Sequence, residues 1–273
     1  MAHLEDRDPA AVLDERAAAP TRTTAYGPDP AQVYDLRLPH PATGPVRRLG
    51  VVVVHGGFWR KEYDRGHAGR QAQAFADAGY PTAVVEYRRP GMQGGDWPGP
   101  ADDLEAAVAA IRRDPDLAAG TGGPAGGPGP ARPLVLVGHS AGGQLVAWAA
   151  AQPWSHGLRG VVSLAGVLDL AHGQATGVGG GAIDALLGGT PAQAPRAYAA
   201  ADPARLLPGI AVVVLHARDD DVVPFELSER YAAAHHGPNV RLVDVPGGGH
   251  YGLIDPENAA FARVLAAVDL LAS

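Results

Sequence analysis

LVLVGHSAGGQLVAWAAA, residues Leu134 to Ala151, is the stretch from which the architecture of this 273-residue chain can be read. Leu134 to Val137 is a short unbroken apolar run, the pattern of a strand covered on both faces. AGGQLVAWAAA, from Ala141, reads as a helix. Only Gly138, His139 and Ser140 lie between the two, so the chain must turn sharply there.

The same order repeats on either side. QVYDLRLP from Gln32 alternates like an early edge strand, and Leu49 to Val54 is a second continuous apolar run. Then follow a helical stretch from Gly66 to Ala78, a strand at Thr82 to Tyr87 and a helix from Ala101 to Arg113. Beyond the opening stretch come strands at Gly160 to Ala165, Ile210 to His216 and Val240 to Val245, with helices at Pro224 to His235 and Glu257 to Leu271. Strands alternating with helices imply right-handed crossovers and a mostly parallel central sheet with helices on both faces, binding ligands at the carboxyl ends of its strands. One domain is expected over residues 31–273, after an extension at 1–30 that reads as a helical turn or disorder. Gly120 to Pro133 is a Gly/Pro-rich mobile spacer. Residues 166–208 form a longer excursion whose short helical pieces, Ala182 to Leu187 and Ala197 to Leu206, would make at most a small cap.

Composition narrows the chemistry. The chain is 46% hydrophobic and 19% charged, enough for an ordinary core. A net charge of -7 and a single lysine, Lys61, argue against a nucleic-acid partner, which needs clustered cations. The absence of cysteine excludes disulfides, thiolate metal sites and a Cys nucleophile, so covalent acyl chemistry falls to a serine. No His/Asp/Glu set has metal-ligand spacing and no Walker-type phosphate loop appears, so neither metal nor cofactor is expected. The first twenty residues mix charges without a long apolar stretch, reading as neither signal nor membrane anchor, and a cytoplasmic location is expected.

Gly138-His139-Ser140-Ala141-Gly142 fits G-x-S-x-G between a strand and a helix, the context that makes the pattern informative in a chain with 37 glycines. A serine on such a turn projects its hydroxyl above the sheet as a nucleophile, and the following helix points backbone N–H groups at an oxyanion forming beside it. His55-Gly56-Gly57-Phe58-Trp59 ends an earlier strand and can turn further N–H groups to the same point. The oxyanion donors are assigned to Gly57, Phe58 and Ala141. His55 is read as ordering its loop, and Trp59 and His139 as bordering a substrate pocket. On this fold the base follows the last strand, which selects His250 after Pro246-Gly247-Gly248-Gly249. The carboxylate behind it falls among Asp219, Asp220 and Asp221, which spacing does not separate.

With these motifs the chain resembles the α/β-hydrolase superfamily, in its arylformamidase (kynurenine formamidase) and small carboxylesterase branch. The likeness rests on HGGFW, GHSAGG at Gly138 to Gly143, LAGVLDL at Leu164 to Leu170, the acid segment and GGGH at Gly247 to His250, and spans roughly residues 26–271. It implies an α/β-hydrolase fold. Aligning His216 to Pro224 with the superfamily's HGxxDxxVP segment implies Asp220 as the acid, with Ala217 standing where the family has Gly. Phe58 in place of a third glycine is the arylformamidase form.

The expected function is therefore a serine hydrolase cleaving small carboxylic esters or aryl formamides through Ser140, His250 and Asp220 and an acyl-enzyme, with a small-molecule substrate and no nucleic-acid or membrane partner. The alternatives are a peptidase of the prolyl-oligopeptidase type, for whose propeller the chain has no room, and a catalytically silent ligand-binding protein on the same scaffold. Oligomeric state is not legible in the sequence.

Overall fold

Runs of valine build the centre of the sheet. The computed structural model describes residues 9–40, 44–118 and 131–272. Eight strands form one sheet: β1 (Arg22–Ala25), β2 (Val33–Arg37), β3 (Gly50–Val54), β4 (Thr82–Val85), β5 (Leu134–His139), β6 (Leu158–Leu164), β7 (Val212–Ala217) and β8 (Val240–Val245). Their order across the sheet is β1-β2-β4-β3-β5-β6-β7-β8. The two pairings made by β2 are antiparallel, and β4 through β8 run parallel. Strands β3, β4 and β5 are buried along their whole length, because helices cover both faces.

Alternate residues of each strand divide between two cores. Val52, Val54, Leu136, Val161 and Val214 face one side, with Leu104 and Val108 of α2 (Gly99–Ile111), Leu145 of α4 (Ala141–Ala149) and Leu227 of α8 (Glu226–Ala234). Val51, Val53, Val135, Val137 and Val213 face the other, with Phe75 of α1 (Gly69–Asp77) and Val264 and Val268 of α9 (Phe261–Ala272). Burying each such side chain stabilises the fold by about 1.5–3 kcal/mol before entropy is counted. The one-turn α3 (Pro115–Ala118) precedes β5, and residues 166–208 carry α5 (Leu170–Ala175), α6 (Ala182–Leu187) and α7 (Pro195–Ala201). These three lie in the expected excursion, α6 over the residues anticipated for it.

Several boundaries differ from expectation. The sheet begins at Arg22, inside the stretch read as an N-terminal extension, and Val12 of the 3-10 turn Pro9–Leu13 is buried as well. The helix expected from Gly66 starts at Gly69, because Arg65–Ala68 winds as a 3-10 turn capped by the Asp64 carboxylate on Gly66 N–H. The closing helix starts at Phe261 rather than Glu257, since the side chains of Asp255 and Asn258 hold the preceding residues in turns. Ala197 to Leu206 divides at Asp202 into α7 and a 3-10 turn, Pro203–Arg205. The spacer expected at Gly120 to Pro133 lies outside the described residues up to residue 130.

Candidate active site

Four carboxyl ends of parallel strands meet at one edge of the sheet: β3 leads into His55, β5 into Ser140, β7 into Asp220 and β8 into His250. Ser140 is held at φ 54 and ψ -115, a conformation sparsely populated by residues with a Cβ. Close packing of strand and helix imposes it. A Cβ at Gly142 would lie 2.1 Å from the Val54 carbonyl oxygen and 2.5 Å from that of His55, so only glycine lets α4 approach β3 this closely. Gly142→Ala is accordingly expected to destabilise the protein by about 1–3 kcal/mol, read as a lower urea midpoint at unchanged slope.

The loop after β3 packs directly on the serine. A Cβ at Gly56 would sit 3.1 Å from Ser140 Cβ. Gly57, Phe58 and Trp59 all have positive φ, at 105, 49 and 53. Two consecutive non-glycine residues in the left-handed region cost about 1–2 kcal/mol each, an outlay retained where the surroundings dictate the backbone. Ala141 is the first residue of α4, so its N–H has no intrahelical acceptor. Backbone hydrogen bonds among the described residues do not engage the N–H groups of Gly57 or Phe58.

Beneath the loop lies a buried charged cluster that hydropathy reading overlooks. His55 Nδ1 donates to the Gly56 carbonyl (2.8 Å), and its ring stacks on Tyr87 at 4.4 Å between centroids. Tyr87 hydroxyl donates to the His55 carbonyl (2.9 Å). Glu86 accepts from the Arg65 backbone N–H (2.9 Å), lies 3.0 Å from His55 Nε2 and pairs closely with the fully buried Arg89. Burial alone would raise the Glu86 carboxyl, yet His55 and Arg89 hold it well below the usual carboxylate range. The cluster thus pins both ends of the glycine pair, His55 from below and Arg65 beyond it.

Of the three adjacent aspartates only Asp220 is buried, and it alone reaches His250. His250 Nδ1 donates to Asp220 Oδ2 (2.7 Å), while Val222 and Val223 N–H donate to Oδ1 (2.9 and 2.8 Å). A fourth donor is His216, whose Nε2 lies 3.0 Å from Oδ2 and 2.9 Å from the Val223 carbonyl. Both neighbours are acceptors, so that nitrogen carries the proton, and Nδ1 is left to accept from Ser228 hydroxyl at 2.7 Å. Burial opposes the charge on Asp220, but these donors outweigh it and hold the carboxyl well below its ordinary range. His216, the penultimate residue of β7, thus fixes the orientation of the Asp220 carboxylate. Asp219 is exposed and accepts from Gly249 N–H (3.3 Å), steadying the loop that delivers His250. That loop turns through three successive positive φ values, 69, 96 and 53 at Gly247, Gly248 and Gly249, a path that requires glycine. Ala217, in the place of the family's glycine, is fully buried and its carbonyl accepts from Asp220 N–H (3.2 Å).

His139 Nε2 donates to the His250 carbonyl (3.0 Å), the two rings lying 4.5 Å apart. Burial, with the adjacent His250, keeps the His139 imidazole well below the ordinary histidine range. His67, 5.4 Å from His55 between ring centroids, is likewise lowered by burial, to about 3. Unfolded histidines titrate near 6.5, so the unfolded chain binds more protons than the folded one below that pH. Stability is therefore expected to fall as pH drops from about 6.5 towards 4, read from urea midpoints, with a shallower slope in His67→Asn. Trp59 is 1% exposed and packs in the larger core. With Phe58 it borders a cleft of about 230 Å³ that is also lined by Gly180, Gly181 and Ala182. No group of side chains among the described residues has the arrangement of a metal site, and no described helix is long and apolar enough to cross a membrane.

The family model of BD-FAE matches residues 34–234, about three quarters of the chain. The chain belongs to the BD-FAE family. The α/β-hydrolase fold expected from the motifs is the one observed, and the family that the chain matches is BD-FAE. Solved structures of the same fold include a truncated carbohydrate esterase from gut microbiota (19% identity, TM-score 0.72, covering 94% of this chain and 99% of that one). Propionate-bound Est2 from the Planctomycetes species Thermogutta terrifontis is 21% identical at TM-score 0.66, covering 91% and 92%. Esterase B from Lactobacillus rhamnosis, in a structure with a tributyrin phosphonate, is 18% identical at TM-score 0.68, covering 97% and 90%. At such identities the likeness establishes the fold that this BD-FAE protein shares with them. No curated protein matches the chain.

Proposed function

We propose that this BD-FAE protein is a serine hydrolase of small carboxylic esters, with Ser140 as nucleophile, His250 as base and Asp220 as the carboxylate behind it. The observation that carries the reading is the buried pair His250 Nδ1–Asp220 Oδ2 at 2.7 Å, on the same strand ends as the strained Ser140 turn. A carboxylate that accepts at Nδ1 leaves the lone pair on Nε2, the nitrogen that takes the serine proton. Ser140 Oγ adds to the ester carbonyl as its proton passes to His250. The oxyanion is met by the N–H groups of Ala141, Gly57 and Phe58, in a loop already held in place before substrate binds. His250 then protonates the departing alcohol, and water repeats the sequence on the acyl-enzyme, releasing the acid and restoring Ser140. Est2 with propionate and esterase B with a tributyrin phosphonate support short-chain esters as the first substrates to try.

A second reading, hydrolysis of aryl formamides, is favoured by Phe58 in the HGGFW loop. Turnover of p-nitrophenyl acetate and butyrate compared with N-formylkynurenine separates the two. Ester turnover at least tenfold above formamide turnover in kcat/KM is expected; the reverse would replace the ester reading, and a folded protein inert to all three would leave the silent-scaffold alternative.

A further inference from the structure

The cleft bordered by Phe58 and Trp59 brings two cations, Arg60 and Lys61, to one lining. Several arginines are tied to carboxylates, Arg22 to Asp114, Arg65 to Asp35, Arg88 to Asp103 and Arg230 to Asp169, while others bond to neutral groups, Arg37 to Gln73 and Arg112 to the Trp154 carbonyl. Arg60 and Lys61, both exposed and both lining the cleft, have no carboxylate partner among the described residues. Arg60 Nη2 donates to the Gly179 carbonyl (2.8 Å), which fastens the guanidinium across the cleft to the segment before α6 and leaves its other N–H groups unused by protein. Lys61, the only lysine in a chain of net charge -7, lies along Gly91, where a Cβ would be 3.3 Å from its Cδ. Glu62 is the one acidic residue of the lining, so the cleft is net positive in an acidic protein.

The walls define the rest of the ligand. Phe58, Trp59, Pro90 and Ala182 offer apolar surface, and about 230 Å³ admits one ring or a short chain rather than a large body. Gly56 packs against Ser140 Cβ and Phe58 lines the cleft, two residues further along the same loop, so the cleft and the serine share that loop as a wall. From this geometry we infer that the cleft is a substrate subsite for a carboxylate-bearing group of ring size, recognised by Arg60 and Lys61. The inference rests on the ester-hydrolase reading and adds to it an anionic substrate class. Surface cations of this kind contribute modestly, about fivefold in affinity each at low salt, and the effect is screened as salt rises.

The test compares matched charged and neutral esters at low and high ionic strength. Para-acetoxybenzoate against para-acetoxybenzamide places the charge on the leaving group; monophenyl succinate against phenyl succinamate places it on the acyl chain. In at least one pair, kcat/KM should favour the carboxylate by about fivefold or more, through KM, and the preference should shrink at high salt. The ratio should fall towards one in Lys61→Met and in Arg60→Met, reverse in Lys61→Glu, and be retained in Lys61→Arg. A ratio near one in both pairs, or a preference that these variants and salt leave untouched, overturns the subsite. Absence of turnover of all four esters and of p-nitrophenyl acetate would instead count against the hydrolase reading itself.

Discussion

Ser140→Ala is expected to lower kcat for p-nitrophenyl acetate by about five to six orders of magnitude, leaving only what the oxyanion donors and binding provide. No thiol can take over the covalent step, because the chain has no cysteine. Stability should change little or rise slightly. The serine occupies φ 54 whichever residue is present, and its side chain makes no hydrogen bond on which the neighbouring elements depend. A loss of activity accompanied by a fall in stability of several kcal/mol, read from the urea midpoint and slope, would mean that folding, rather than chemistry, had been removed. Retention of more than about one per cent of the turnover would assign the nucleophile elsewhere.

Asp220→Asn is expected to cost about four orders of magnitude in kcat. The carboxylate accepts from four donors, two imidazole N–H groups and two backbone N–H groups. An amide has a single acceptor oxygen, so it turns an N–H towards one of them and pushes His250 towards the tautomer with its proton on Nε2, which cannot act as base. The same mismatch in a buried site should lower stability, since a buried donor left without its acceptor costs about 1–3 kcal/mol. Asp219→Asn provides the contrast. Its oxygen can still accept from Gly249 N–H at the surface, so activity should fall by less than about tenfold. A larger loss at Asp219 than at Asp220 would reverse the assignment of the acid.

The parts of this architecture that depend on short-range pattern could be read before any coordinates. Unbroken apolar runs at β3 and β5 announce strands covered on both faces, and G-x-S-x-G acquires meaning because a strand ends and a helix begins around it. β1 escaped because Arg22–Ala25 is four residues long, alternates between half-buried and exposed, and lies at the sheet edge, where little apolar signal is required. The acid was ambiguous for a different reason. Three adjacent aspartates have equal chemistry in one dimension, and only burial, which sets Asp220 against the exposed Asp219 and Asp221, distinguishes them. Glu86, Arg89 and His216 were least legible. Charged residues are by default solvated, and nothing local indicates that these three are enclosed beneath the glycine loop after β3 and beside Asp220. Tyr87 could have signalled the first of these clusters, being a large residue two positions beyond a buried strand with a hydroxyl that must find a partner.

Activation of the Ser140 hydroxyl by the His250–Asp220 pair is the step on which the proposed chemistry depends. Reaction of the folded protein with a fluorophosphonate, followed by intact mass and peptide mapping, measures this directly. One adduct per chain, located on Ser140 and lost together with labelling in Ser140→Ala and His250→Ala, is the predicted result; a folded protein that takes up no label, or takes it up at another residue, contradicts it.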